Sequence, residues 1–210
     1  VIGINGTGKS TFLKVLAGKL QPDGGTIARK PNLQVSVLAQ NPDMRDELTV
    51  LEQVFASMPP EFRQLNEYEA KRMLTQLGLA DTDRRIGTLS GGERRRTEIA
   101  RAVAINPAFI LLDEPFAGVD PIAVEDIQSI VATLKHKNIG VIITDHNVDE
   151  TLAITDRTYL LYEGKILKTG TAEELAADPM VRKVYLGQHF ELKKSHQLTQ
   201  EMKNRKTPQE

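Results

Sequence analysis

The sequence of 210 residues contains no cysteine. A disulfide framework and a thiolate metal site are therefore excluded, and the composition fits a reducing compartment. The chain also has almost no net charge, because 27 basic residues oppose 28 acidic residues. No overall electric field therefore attracts it to nucleic acid or to acidic lipid, and we expect no nucleic-acid partner.

Long hydrophobic runs are also missing, since no segment approaches the roughly 20 apolar residues that a membrane-spanning helix needs. We therefore expect any membrane role to depend on a partner protein. The 40% of hydrophobic residues suits one sizeable domain, or one core with a smaller inserted lobe.

Glycine is concentrated near the start of the chain, where Gly3 to Ser10 read GINGTGKS. A G-x-x-x-x-G-K-S pattern between an apolar strand end and a helix is typical of a phosphate-binding loop, whose backbone amides surround an anion. In this interpretation Lys9 reaches the β- and γ-phosphates and Ser10 ligates Mg²⁺. The alternative is a glycine-rich turn before an ordinary helix. The predicted nucleotide-binding residues of the loop are Asn5, Gly6, Thr7, Gly8, Lys9, Ser10 and Thr11.

Hydrophobic periodicity indicates an α/β fold. The pattern predicts a first helix from about Lys9 to Leu20, a half-buried strand from residue 33 to about Gln40, and helices between residues 41 and 87. In the second half it predicts buried strands at 109–112 and 140–144, a hairpin over 159–168, and a helix with Pro121 at its first position. Thr171 and Glu174 predict a capping box for a short helix. The predicted apolar face of the helix after Pro121 consists of Val124, Ile127, Ile130, Val131 and Leu134.

Two adjacent carboxylates, Asp113 and Glu114, follow the buried run FILL. One carboxylate at this point can hold Mg²⁺, and the next can polarise an attacking water. An acidic turn without a ligand is the alternative. It is disfavoured because adjacent buried carboxylates repel each other unless a cation compensates them.

A third motif, LSGGE, occupies Leu89 to Glu93 and precedes a helix. The serine and the two glycines offer a hydroxyl and backbone amides to an anion. Arg94, Arg95 and Arg96 follow in the first turn, where the helix dipole disfavours cations. Either a bound anion or nearby carboxylates should offset these charges. The alternative for any one of these arginines is a solvated charged face.

The order of these motifs resembles the nucleotide-binding domain of ATP-binding cassette (ABC) proteins, as far as about Leu192. The resemblance implies a P-loop NTPase with a RecA-like, mostly parallel sheet and an inserted α-helical subdomain. Together with the hydrophobic pattern and the polar, charged composition beyond Leu192, it divides the single domain 1–210 into a core (1–40 and 88–192), a helical subdomain (41–87) and a flexible tail (193–210). The motifs in chain order are the phosphate loop, Gln40, Ser90-Gly91-Gly92, Asp113-Glu114, Asp120 and His146.

The resemblance also implies an ATP sandwich in a head-to-tail homodimer. Each ATP would lie between the phosphate loop of one copy and Ser90, Gly91 and Gly92 of the other. Glu114 would be the general base, and His146 would contact the γ-phosphate. Gln40 would contact Mg²⁺ and the attacking water, together with Ser10 and Asp113 as metal-binding residues. Asp120 would belong to a loop that links the two sites.

The two halves of the chain resemble different ABC proteins. Runs such as ERRRTEIARA and ITDHNVDETLAITDR resemble the ATPase subunits of lipopolysaccharide exporters. The part up to about Gly87 is more similar to the ABC-F translation factors. We therefore hypothesise a mosaic with a changeover near Leu89–Glu93. The first function implied is an ATPase at the cytoplasmic face of the inner membrane that drives a permease. The alternative is a ribosome-associated ABC-F factor, although those proteins carry two cassettes.

The start of the chain departs from the family pattern. Only Val1 and Ile2 represent the strand that precedes the phosphate loop, and the aromatic residue that stacks on adenine in ABC domains lies outside the sequence. We therefore expect that the chain is a fragment, or that its first strands are supplied in another way.

Overall fold

A computed structural model of the chain describes residues 1–38, 43–119 and 121–187. Its strands and helices alternate, as the α/β prediction requires. The strands are β1 (Ile2–Gly3), β2 (Val35–Leu38), β3 (Phe109–Asp113), β4 (Gly140–Thr144), β5 (Thr158–Tyr162) and β6 (Lys165–Gly170). The α-helices are α1 (Lys9–Leu16), α2 (Val50–Phe55), α3 (Pro60–Gln76), α4 (Gly91–Ala104), α5 (Pro121–His136), α6 (Val148–Leu152), α7 (Ala172–Ala177) and α8 (Pro179–Val181).

The chain forms two compact units. We call Val1–Lys9 with Asp145–Glu210 the terminal unit, and Ser10–Thr144 the central unit. The predicted division into a core and a helical subdomain follows other boundaries and stays a prediction. Of the described helices, none is long and apolar enough to cross a membrane.

The central unit contains a three-stranded parallel sheet in the order β2–β3–β4. The register of the middle strand pairs Leu111 with Val37 on one side and with Ile142 on the other. Ile110 and Leu112 on one face are completely buried, and Leu111 on the other face is 2% exposed, which confirms the prediction of a strand covered on both faces. Because parallel strands end at the same edge, the last residues of β3 and β4 lie side by side.

Helix α5 packs against β4. It begins at Pro121, as predicted, where the missing amide hydrogen of proline costs no helical hydrogen bond. Its predicted apolar face is confirmed, since all five of its members are buried. These residues are Val124, Ile127, Ile130, Val131 and Leu134.

Helices α2, α3 and α4 share a hydrophobic cluster in the central unit. Helix α2 begins with a capping box, in which Thr49 and Glu52 each accept a hydrogen bond from the other's backbone amide. These helices confirm the predicted helical character of this part of the chain. The buried members of the cluster are Val50, Leu51, Val54, Phe55, Ala70, Leu74, Leu79, Ile86, Leu89 and Ala100.

The terminal unit is built on a second sheet in the order β1–β5–β6. β1 runs parallel to β5, and β5 and β6 form the predicted antiparallel hairpin. Thr171 and Glu174 form the predicted capping box at the start of α7. The buried core of this unit consists of Ile2, Leu152, Leu160, Ala172, Leu175 and Val181.

The first helix is shorter than predicted, because it ends at Leu16 and not at Leu20. Gly18 has a φ of 75°, a left-handed conformation that ends the helix. Its amide donates to Val15 O, and the amide of Lys19 donates to Lys14 O at 2.8 Å. This pair of bonds is a Schellman motif, which satisfies the last helical carbonyls and turns the chain away. The next strand also begins later than predicted, at Val35, and its predicted end at Gln40 lies outside the described residues.

The pairing of β3 with β4 contains a close contact that can be tested. A Cβ atom added to Gly140 would lie 2.3 Å from the ring of Phe109, its partner on β3. We expect Gly140→Ala to lower the free energy of unfolding by about 1–3 kcal/mol, because the ring must move. Urea denaturation measures this loss.

Gly24→Ala is the matched control, since no atom lies within 4 Å of a Cβ added there. The double variant Gly140→Ala/Phe109→Leu should recover most of the lost stability. Equal stability of Gly140→Ala and the unchanged protein would refute the contact.

Candidate functional site

The phosphate loop has the backbone that its glycines allow. Gly6 and Gly8 have φ angles of 85° and 90°, where a side chain would be strained. A Cβ added to Gly3 would lie 2.6 Å from Thr7 Oγ1. The hydroxyl of Thr7 donates to Ile4 O at 2.8 Å and closes the loop. These contacts give the loop a defined shape without a ligand.

Lys9, the predicted phosphate ligand, is held over this loop. Its amine donates to Gly3 O at 2.8 Å and to Ile4 O at 3.2 Å, and the residue is 4% exposed. Two carbonyl oxygens therefore accept the hydrogen bonds that the amine is predicted to donate to a phosphate. In the predicted role of Lys9, a triphosphate would replace them with stronger, charge-assisted hydrogen bonds.

His146 lies in the same terminal unit as the loop. Its neighbour Asp145 forms an isolated bridge with Ile2, and the Gly3 amide donates to Asp145 O at 3.3 Å. The buried Asp145 carboxylate accepts from the backbone amides of His146 and Asn147 at 2.8 and 2.9 Å. The His146 side chain remains 44% exposed. The backbone of β1 thus connects the start of the loop to the predicted γ-phosphate contact.

The two predicted acidic residues lie in the central unit at the end of β3. Asp113 is paired with Thr144 of β4, whose hydroxyl donates to Asp113 Oδ1 at 2.7 Å. The amide of Glu114 donates to Thr144 O at 2.7 Å, and Glu114 has a left-handed φ of 46°. Both carboxylates are buried. Thr144 was not predicted as a site residue, although a threonine at the end of a buried strand is a polar signal that could have indicated it.

A buried charge cluster supports β3 from helix α4. The Arg95 guanidinium donates to Asp113 O at 3.4 Å and lies 3.6 Å from Glu98 Oε2. Arg101 pairs with the other oxygen of Glu98 at 2.8 Å. Burial raises the pKa of Glu98, while Arg101 and Arg95 oppose that rise. The cluster therefore joins α4 to the strand that carries Asp113.

The LSGGE motif forms the N-terminus of α4 through a capping box. The amide of Glu93 donates to Ser90 Oγ at 3.2 Å, and the amide of Ser90 donates to Glu93 Oε2 at 2.9 Å. Ser90 and Gly91 are exposed. The exposed serine can therefore meet a ligand while its backbone is held in place.

Carboxylates offset the three arginines that follow this motif. Arg94 pairs with Asp46 at 2.9 Å, and Arg96 pairs with Asp126 at 3.0 Å. Arg95 belongs to the buried cluster around Glu98. Nearby carboxylates, one of the explanations that the sequence left open, therefore pair with all three arginines.

A fourth arginine, Arg84, pairs with the motif itself and was not singled out from the sequence. It forms a bidentate ion pair with Glu93, with contacts of 2.6 and 3.2 Å. The hydrogen bond from Arg84 and the one from the Ser90 backbone lower the pKa of Glu93 to about 2. Glu93 therefore stays ionised at neutral pH. Two other predicted site residues, Gln40 and Asp120, lie outside the described residues.

Comparison with known proteins identifies close similarity along most of the chain. A family model described as ABC transporter matches residues 1–117. The lipopolysaccharide export system ATP-binding protein LptB of Acidithiobacillus ferridurans is 41% identical over 91% of this chain and 86% of its own length. The protein of the same name from Escherichia coli strain K12 is 38% identical over the same shares.

Solved structures agree with this similarity. A nucleotide-free ATP-binding cassette from an ABC transporter has a TM-score of 0.73 and 30% identity, covering 89% of this chain and 87% of that one. An ATP-binding cassette of an ABC transporter in its ADP conformation has a TM-score of 0.74 and 31% identity, covering 89% and 86%. The predicted P-loop NTPase fold is thus confirmed.

The contact between Thr144 and Asp113 yields a second test. We expect Thr144→Val to reduce ATP hydrolysis and to lower the free energy of unfolding by about 1–3 kcal/mol, because Asp113 Oδ1 loses its buried donor. Thr158→Val is the matched control, since it removes a buried hydroxyl that bonds only within the terminal unit, to Thr155. It should lose stability and keep its turnover per folded molecule. Normal hydrolysis by Thr144→Val would exclude a role of this contact in ATP hydrolysis.

Proposed function

Because the chain belongs to the ABC transporter family of ATPases, we propose that it is the ATP-hydrolysing subunit of a lipopolysaccharide exporter. The observation that carries this proposal is the 41% identity to a lipopolysaccharide export ATPase over 91% of the chain. That share includes most of the segment whose pattern is closer to ABC-F proteins. The mosaic stays a hypothesis, which sequencing the locus around the codons for Leu89–Glu93 tests.

The side chains of the chain supply distinct parts of the proposed reaction. Lys9 binds the β- and γ-phosphates, and the amides of the phosphate loop surround them. Glu114 accepts the proton of the attacking water, and His146 contacts the γ-phosphate. Gln40 orients the same water, and Asp120 belongs to the loop that links the two nucleotide sites. In this proposal hydrolysis depends on preformed positions and charges, as phosphoryl transfer requires.

The proposed metal ligands fit Mg²⁺. Ser10 offers a hydroxyl, Gln40 an amide oxygen and Asp113 a carboxylate, and all of these are hard oxygen donors. Thr144 orients the Asp113 carboxylate through a hydrogen bond to Oδ1. When bound, Mg²⁺ neutralises charge on the phosphate oxygens. The buried position of Asp113 favours such compensation, because an uncompensated buried carboxylate is costly.

We further propose that two copies pair head to tail. The phosphate loop of one copy and Ser90, Gly91 and Gly92 of the other would hold each ATP. The exposure of Ser90 and Gly91 supports this arrangement, since both can reach a second molecule.

The role of Glu114 predicts a specific phenotype. Glu114→Gln should retain ATP binding and lower kcat by about 10²–10⁴-fold, because the amide cannot accept the proton. ATP should then accumulate in a stable dimer, which analytical ultracentrifugation detects.

Ser90→Arg in the Glu114→Gln background is the comparison for pairing, since a bulky cation replaces the proposed contact with the second ATP. It should prevent the nucleotide-dependent dimer. Normal turnover by Glu114→Gln would exclude this residue as the base, and an unaffected dimer in the double variant would exclude the sandwich.

The proposed partner is a transmembrane permease of the inner membrane, which the ATPase would bind at the cytoplasmic face. Affinity purification of the chain from membranes solubilised in detergent should recover permease subunits of a lipopolysaccharide exporter in a fixed ratio to the ATPase. Lys9→Ala is a suitable comparison. It should lose nucleotide binding and still recover the permease, because the substitution leaves the surface elsewhere unchanged. Association with ribosomes without any permease would instead favour the ABC-F alternative.

A further inference from the structure

Arg84 forms a two-point contact with the carboxylate of the LSGGE motif. Nη1 lies 2.6 Å from Glu93 Oε1, and Nη2 lies 3.2 Å from Oε2. Nη2 also donates to Thr88 O at 3.4 Å. The guanidinium therefore spans the short 3₁₀ turn Ile86–Thr88 and reaches the first turn of α4. Such fork geometry fixes direction as well as charge, which a lysine cannot do.

The backbone that carries Arg84 is itself anchored. The amide of Val50, the first residue of α2, donates to Arg84 O at 2.9 Å. Two further bonds hold the following turn, from Ile86 N to Leu48 O at 2.9 Å and from Gly87 N to Asp46 O at 3.1 Å. Arg84 thus connects the hydrogen-bonded segment around the start of α2 with the capping box of α4.

The cap determines how Ser90 is presented. Ser90 Oγ accepts the Glu93 amide at 3.2 Å, so its own hydroxyl hydrogen is available to donate to an anion. Glu93 holds the Ser90 amide from the other side. The same carboxylate carries a negative charge within one helical turn of the serine. Without compensation this charge would repel a triphosphate.

We propose that Arg84 is a positioning residue for the ATP of a second copy, which it serves by fixing and neutralising Glu93 beside Ser90. This inference rests on the head-to-tail sandwich proposed above. It assigns to Arg84 an effect on pairing of the copies. The binding of nucleotide by a single copy, through its own phosphate loop, should not depend on Arg84.

The test uses the Glu114→Gln protein, in which hydrolysis does not consume ATP. Sedimentation measures the ATP-dependent dimerisation constant, and a fluorescent ATP analogue at low protein concentration measures binding to one copy. We expect Arg84→Ala to weaken dimerisation by about tenfold or more, the effect of one lost charge-assisted contact. Nucleotide affinity of the single copy should change by less than about twofold, within the variation of surface substitutions.

Three further variants separate charge from geometry. Arg84→Lys keeps the charge and loses the fork, so its dimerisation should be intermediate. Arg84→Ala/Glu93→Gln removes both charges and keeps a capping side chain at this position, so it should dimerise better than Arg84→Ala. Arg72→Ala is the matched control, because it breaks an exposed ion pair with Glu69 on α3 and should dimerise normally.

The outcomes distinguish the two proposals. If Glu114→Gln alone shows no ATP-dependent dimer, the sandwich is wrong. If it dimerises and Arg84→Ala dimerises equally well, only the role of Arg84 is wrong. An equal loss of single-copy nucleotide affinity would also overturn it, since that loss indicates general damage to the fold. Should Arg84→Ala fail to fold, Arg84→Lys decides, and unchanged dimerisation of that variant overturns the proposal.

Discussion

The parallel register between β3 and β4 is the constraint on which the acidic part of the site depends. It places Asp113 opposite Thr144, and one residue of β4 then serves both acidic residues. Its hydroxyl binds the Asp113 side chain, and its carbonyl accepts the Glu114 amide. A slip of one residue would turn every side chain of the strand to the other face and would separate these groups. Sheet packing and the placement of the two acidic residues are therefore specified by the same pairing.

Helix α4 contacts β3 through its buried face and carries the LSGGE motif in its first turn. Its buried face carries Arg95, which donates to the backbone of β3, and Glu98, which pairs with Arg95. Its first turn carries the LSGGE motif, with the cap formed by Ser90 and Glu93. A displacement of this helix would move the β3 contact and the LSGGE motif together, because a 14-residue helix is a rigid element.

Local signals allowed much of this structure to be predicted from the sequence. Continuous apolar runs indicated β3 and β4, and the pattern Thr171 to Glu174 indicated a cap, since both depend on neighbours in the chain. The contacts that were missed join distant residues. Thr144 meets Asp113 31 positions away, and Arg96 meets Asp126 30 positions away. The end of α1 was also missed, because the hydrophobic periodicity contains no signal for the left-handed backbone conformation at Gly18.

Under the proposed phosphate-binding role of Lys9, the carbonyls that hold its amine have a consequence for the nucleotide cycle. Since Gly3 O and Ile4 O already satisfy the amine, the arrival of a triphosphate exchanges one set of acceptors for another. The net gain is smaller than for an unbonded ammonium group. When the product leaves, Gly3 O and Ile4 O can again accept hydrogen bonds from the amine. The buried ammonium charge is therefore not left unsolvated. In the proposed role of Lys9, this exchange of acceptors limits the free energy gained when nucleotide binds.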